Sequence, residues 1–248
     1  MALIDQDPSG PAQVAALRHL AGQAPRAVRR PRRFLLLPTS VLRSSLAPTA
    51  AEPRSLLLGV GGDELEPVLL AEPDVRSGLL VAGPPGSGRS TALLTIAAGL
   101  LASGLPLVPV APRPSPLRSL AGCLDGRDDV SELEERLRSG PVALLVDDAE
   151  LLVDSPLAPV LARAVRDARD TGIVVVVAGT TDDLVAGYRG FVVDLRRSRT
   201  GVLLSPRSAD GDLLGVRLSR ATVEDPVPGR GLLVVRGRVQ PLQVARPE

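Results

Sequence analysis

The sequence predicts an α/β fold: a mostly parallel sheet with helices on both faces and extra strands toward the C-terminus. Three observations carry this. Short apolar runs alternate with stretches of helical periodicity between residues 78 and 194. Several of those runs are continuous rather than alternating, as suits strands buried on both faces. A glycine-rich turn joins the first of them to a helix.

Taken in order, residues 11–23 read as a short helix with Ser9 or Gly10 as cap, Pro11 in the first turn, and Val14, Leu17 and Leu20 on one side. A connector follows, RAVRRPRR at residues 26–33, with five arginines in eight residues and no interleaved aromatic for base stacking. That composition suits a solvated linker better than a contact to a phosphate backbone. Residues 56–70 form two apolar runs about a Gly-Gly-Asp turn, a hairpin signal. Residues 78–82 are a buried strand, and residues 90–101 a helix carrying Leu93, Leu94, Ile96, Ala97, Leu100 and Leu101. Next come a strand at 107–111, a helix at 131–138 with a Ser131-x-x-Glu134 capping box, and a strand at 142–146. Ser155-Pro156 opens a helix that stops near Gly172, followed by a strand at 173–178, a helix at 182–188 and a strand at 191–193. The runs at 202–204, 213–216, 232–235 and 239–244, separated by Gly and Pro, read as strands at the end of the same sheet. These crossovers give a parallel arrangement.

Composition narrows the chemistry. With 248 residues and 44% hydrophobic content the chain is long enough for one large domain with a small appendage. Its 29 basic and 28 acidic residues leave a net charge of +1, so any anion binding must be local. All the basic residues are arginine. The single cysteine, Cys123, reads as a small buried hydrophobe, and the single histidine, His19, leaves no material for a metal centre or a Ser-His pair. No apolar run approaches the ~20 residues of a membrane span, and the opening MALIDQDPSG lacks the basic and apolar regions of a secretion signal. A cytoplasmic location is expected.

The chemistry concentrates at GPPGSGRST. Phosphate oxygens need several backbone N–H donors at once, and Gly83, Gly86 and Gly88 let the backbone turn tightly enough to supply them. Ser90 offers a hydroxyl for Mg²⁺, while Arg89 stands where the phosphate-loop pattern has lysine. About 60 residues on, VALLVDD ends a buried strand in two carboxylates. Asp147 is the Mg²⁺ candidate, and Asp148 a water-positioning acid one methylene shorter than the glutamate usual there. Gly179-Thr180-Thr181 follows another strand; Thr180 either senses a terminal phosphate or caps the next helix.

These residues resemble a family. The hairpin LLLGVGGDELEPVLL, GPPGSGRST, LLVDDAELL, AGTTDDL, RRSRTGVLLSPRSADGDLLGVRL and PVPGRGLLVVRGRVQPLQVA, in that order over residues 34–248, are similar to the motor domains of the FtsK/SpoIIIE family. The likeness is to the degenerate C-terminal ATPase modules of its EccC-like members in type VII secretion. The resemblance implies a RecA-like P-loop ATPase fold, with ATP on Gly83, Pro84, Pro85, Gly86, Ser87, Gly88, Arg89, Ser90, Thr91 and Thr180, and Mg²⁺ on Ser90 and Asp147. It also implies partner ATPase modules in tandem or in a hexameric ring, and movement of DNA or a secreted protein. Membrane association would then come through another portion or a partner. Residues 1–33 read as the end of a preceding module, MALID as a strand, plus the linker. Arg89 and Asp148 depart from the pattern: a planar guanidinium does not replace a compact ammonium beneath the phosphates, so binding with weakened hydrolysis is expected. The competing readings are a non-hydrolysing docking module for a partner protein or secretion signal, and a small-molecule kinase with Arg196, Arg197 and Arg199 as a phosphate lid.

Overall fold

The computed structural model describes residues 10–23, 35–46, 55–127, 129–219 and 227–247. The chain divides into two compact units, Met1–Phe34 and Leu35–Glu248. The expected strand at 1–5 and the arginine-rich stretch at 26–33 lie outside the described residues. In the first unit, α1 (Gly10–Gln23) has no buried residue. Val14, Leu17 and Leu20 are all exposed, and His19 Nε2 sits 3.0 Å from the Gln23 amide nitrogen one turn away.

The second unit is organised by one nine-stranded sheet, in the order β2-β1-β9-β8-β7-β3-β6-β5-β4. Its parallel part contains β4 (Leu107–Val110), β5 (Ala143–Val146), β6 (Val174–Gly179), β3 (Leu79–Ala82) and β7 (Thr200–Leu204). β3, β5, β6 and β7 are buried along their whole length, which is why β3 and β5 read as unbroken Val/Leu/Ala runs and β6 as one up to Gly179. From β7 outward the sheet turns antiparallel through β8 (Arg230–Val235), β9 (Arg238–Val244), β1 (Leu56–Gly61) and β2 (Glu66–Leu70). The early hairpin therefore joins the last one at the same edge.

Two apolar layers cover the sheet. On one face α3 (Arg89–Ala102) lays Leu93, Ile96, Ala97 and Leu100 against β1, β3 and β6, and α2 (Glu72–Arg76) adds Val75 to the same layer. The other face carries α4 (Val130–Arg138), α5 (Ala158–Thr171), α6 (Thr181–Ala186) and α7 (Phe191–Arg196). Among the described residues no helix is long and apolar enough to cross a membrane.

Four local expectations are corrected. Residues 191–193 are not a strand; they open α7, which buries Phe191, Val192 and Leu195. A run of three apolar residues fits either period, and the i, i+4 partner Leu195 decides for the helix. Residues 213–216 are likewise no strand, since Ser208–Leu214 forms 3₁₀ turns ending at Gly215 in the left-handed region. The capping box at Ser131 is absent because α4 starts one residue earlier. Glu134 instead meets Arg138 at 3.1 Å and Arg163 at 2.6 Å. Finally, α5 begins at Ala158; Ser155 Oγ accepts from the Leu157 N–H in the turn before it. Cys123 is half-buried, and burial pushes its thiol pKa up.

Candidate nucleotide-binding site

In a parallel sheet, loops at the carboxyl ends of adjacent strands converge on one crevice. Here the central strands β3, β6 and β5 lie side by side, so the turn after β3, the Thr180 corner after β6 and the acids after β5 meet there. The turn is held from both sides: Gly83 N–H donates to Gly179 O at 3.4 Å, and Ser87 N–H to Pro84 O at 3.2 Å. Gly83 is required by close approach, because a Cβ there would fall 2.4 Å from Ser87 Oγ and 2.9 Å from the Leu204 Cβ. Gly88, at φ 97°, caps α3 from the left-handed region, a conformation that L side chains rarely adopt.

Ser90 and Asp147 come together. Ser90 Oγ donates to Asp147 Oδ2 at 2.7 Å, and the carboxylate is 1% exposed. A hydroxyl beside a buried carboxylate is a hard oxygen pair suited to Mg²⁺. Ser87 Oγ, on the same loop, is buried with no hydrogen-bond partner and packs beneath the turn against Gly83. The residues present therefore fit a magnesium-bound nucleotide phosphate.

Arg89 and Asp148 also come together, and with each other. The guanidinium donates to Gly83 O at 2.9 Å and reaches Asp148 Oδ1 at 3.3 Å, with both side chains largely buried. Burial raises the Asp148 carboxyl above its ordinary value, and the neighbouring Asp147 charge adds to this, while Arg89 and Arg113 oppose it. Asp148 itself sits in the left-handed region at φ 45°. Thr91 lies on the first turn of α3 behind the loop. Thr180 takes the N-cap position of α6, but its hydroxyl does not cap the helix. It donates to Glu150 Oε1 at 2.9 Å and contacts Asp183.

Three participants were not legible as such in the sequence. Ser115, after β4, donates to the same Asp147 Oδ2 at 2.5 Å. Its signal was a Ser-Pro turn beside the neighbouring strand. Glu150 reaches the β6 corner from the turn after β5. Gly229 N–H donates to Ser87 O at 2.8 Å, so the turn before β8 braces the loop. By contrast Arg196, Arg197 and Arg199 precede β7, which runs parallel to β3. They stand at the amino end of β7, the opposite end of the strands from the loop, about 17 Å away along a five-residue strand, and cannot serve as its lid. No group of three or more His, Cys, Asp or Glu placed to hold a metal occurs among the described residues.

Neither family models nor curated proteins match this sequence. Solved structures do. EssC (ATPases 2 and 3) from Geobacillus thermodenitrificans superposes with a TM-score of 0.72 at 17% identity, over 96% of this chain and 49% of that one. Thermomonospora curvata EccC (ATPases 2 and 3) in complex with a signal sequence peptide gives 0.70 at 22%, over 100% and 51%. The pCW3 conjugation coupling protein TcpA, in its monomer form with ATPγS, gives 0.61 at 16%, over 85% and 71%. The chain thus spans about half the length of the two secretion ATPase structures and shares their ATPase-domain fold.

Proposed function

We propose that this chain is an ATP-binding module of an FtsK/SpoIIIE-like translocase of the EccC kind, with hydrolysis weakened. The observation that carries the reading is the pairing of its two departures from the motor pattern: Arg89 is held by Gly83 O and Asp148 at 2.9 and 3.3 Å. The remaining parts keep the arrangement that phosphate binding needs. The Gly83–Gly88 backbone would cradle the phosphates, Ser90 and Asp147 would hold Mg²⁺, and Thr180, at the end of β6, would contact the terminal phosphate. When bound, Mg²⁺ offsets phosphate charge. Arginine keeps the ground-state attraction of lysine, but a cation tied to a carboxylate stabilises the transferring group less.

The T. curvata EccC complex with a signal sequence peptide supports a secreted protein rather than DNA as the moved polymer. It also favours a second reading, a docking module that binds ATP without hydrolysing it. Both place the module on the cytoplasmic side, in tandem with others. Calorimetry tests the site: Mg-ATP affinity should fall about tenfold or more, ~1.4 kcal/mol, in Ser90→Ala or Asp147→Ala. Arg89→Lys should raise phosphate release more than it changes affinity. Metal-independent binding untouched by the first two changes would overturn the nucleotide site, and wild-type turnover at motor rates that Arg89→Lys lowers would overturn the weakened chemistry.

A further inference from the structure

Three helices of the second unit border one cavity of about 260 Å³. Arg76 comes from the last turn of α2, Arg166 and Arg169 from the second half of α5, and Arg197 from the residue that caps α7. Ser198, which also lines it, lies just before β7, so the cavity sits at the amino ends of the parallel strands, away from the phosphate loop. The arginine-rich segment that cannot cover the loop thus contributes to a different place. Asp194 is the one carboxylate among the lining residues, and it meets Arg197 at 3.1 Å and Arg166 at 3.9 Å. On α2, Glu72 holds Arg76 at 2.8 Å, while Asp74 is taken by Arg236 at 3.0 Å. Arg169 pairs with no carboxylate among the described residues. Four guanidiniums against the two carboxylates of Asp194 and Glu72 leave a surplus of two positive charges, in a chain whose net charge is +1. α2 and α7 are only five and six residues long, so their partial negative ends offset little of it. Ser198 Oγ accepts from the Thr200 N–H at 3.3 Å, which leaves its hydrogen for another acceptor.

We propose that this cavity is a second anion site, independent of the nucleotide loop, which takes the phosphate group of a small soluble ligand, a phosphate monoester or a diphosphate. Charge selects the class. A phosphate monoester carries about −1.5 to −2 at neutral pH, which matches the surplus of two, whereas a single carboxylate leaves half of it unbalanced. Geometry agrees, because the planar fork of arginine meets phosphate oxygens two at a time, and the Ser198 hydroxyl supplies one more donor. Size argues for a small ligand: pockets for drug-sized molecules start at about 300 Å³, and this one is slightly smaller. Asp194 is the internal counter-ion that the ligand must compete with, since it already engages Arg166 and Arg197. Arg196, next to Arg197 in the chain, has Nε and Nη2 buried without a hydrogen-bond partner, and so adds a further cation to the same end of the sheet.

The test is calorimetric titration of the full chain with pyrophosphate in the absence of divalent metal, for the wild type and for Arg169→Gln, Arg197→Gln and Asp194→Asn, with Tm measured alongside. Each arginine change should weaken pyrophosphate about tenfold or more, as for a lost charge-assisted hydrogen bond, at unchanged Tm. Asp194→Asn should act in the opposite sense and tighten it about fivefold, the size of one like charge removed at the protein surface. A loss of structure does not produce such a gain. Should Asp194→Asn fail to fold, Arg169→Gln decides, because it breaks no ion pair among the described residues. Pyrophosphate that does not bind at millimolar concentration overturns the proposal. So does binding that no arginine change alters, which places the anion elsewhere, at the glycine loop for example, and leaves the nucleotide-site reading standing. Succinate bound as tightly as pyrophosphate overturns the phosphate class. A phosphoserine peptide bound at least tenfold more tightly than phosphoserine itself overturns the small ligand in favour of a phosphorylated partner.

Discussion

Two adjacent aspartates at the end of β5 behave as different groups because the chain turns between them. Asp147 is buried and shares one carboxylate oxygen between the Ser90 and Ser115 hydroxyls. Asp148, in the left-handed region, faces Arg89 from a buried position. Its raised pKa means that the folded state holds this proton more tightly than the unfolded chain does. Stability from that proton is fully present below the unfolded value of about 3.8 and is lost as pH rises through the folded value. At neutral pH the ionised carboxyl is therefore a net cost of folding. Asp148→Asn keeps an acceptor for Arg89 without the charge, so thermal melts should show a Tm raised by of order 2 °C at pH 7. The gain should vanish toward pH 4. A lower Tm at pH 7 would mean that the Arg89 attraction outweighs burial.

At the scale of elements, the C-terminal hairpin does more than close the sheet. The turn before β8 donates the Gly229 N–H to the phosphate loop, and Arg230 ties that turn to three places. Its Nε donates to Gln243 Oε1 at 3.0 Å, and a terminal nitrogen donates to Leu37 O and Pro38 O at 2.8 and 2.9 Å. Gln243 is itself 1% exposed and donates to Pro228 O at 3.0 Å. The segment entering the second unit and the loop are thus linked through one guanidinium. Arg230→Met retains the apolar stem but leaves these acceptors unpaired, which costs roughly 1–3 kcal/mol. Urea unfolding should show the loss as a lower midpoint at unchanged slope. A midpoint within ~0.3 kcal/mol of wild type would show that the Arg230 contacts carry no net stability.

For the whole molecule, the contacts of residues 35–248 form one compact unit around a sheet whose first hairpin pairs with its last. Residues 35–248 made alone should therefore unfold in one cooperative transition, with a Tm within about 3 °C of the full chain. A broad or multiphasic melt, or a loss of more than ~10 °C, would show that the first unit is needed for folding.

The sequence by itself determined which runs become central strands and where the phosphate loop starts its helix, because both are local: burial on two faces demands continuous apolar runs, and the loop demands glycines at fixed spacing. It left residues 191–193 and 213–216 undecided, since runs of three or four apolar residues satisfy either period until packing chooses. It named Asp147 and Ser90, but not that Ser115 joins them, nor that Arg89 and Asp148 neutralise each other, nor that Glu150 stands over Gly179. Those relations depend on strand order. Only the lateral arrangement β3-β6-β5-β4 brings side chains 30 to 60 residues apart into hydrogen-bond range, and no spacing along the chain encodes that adjacency.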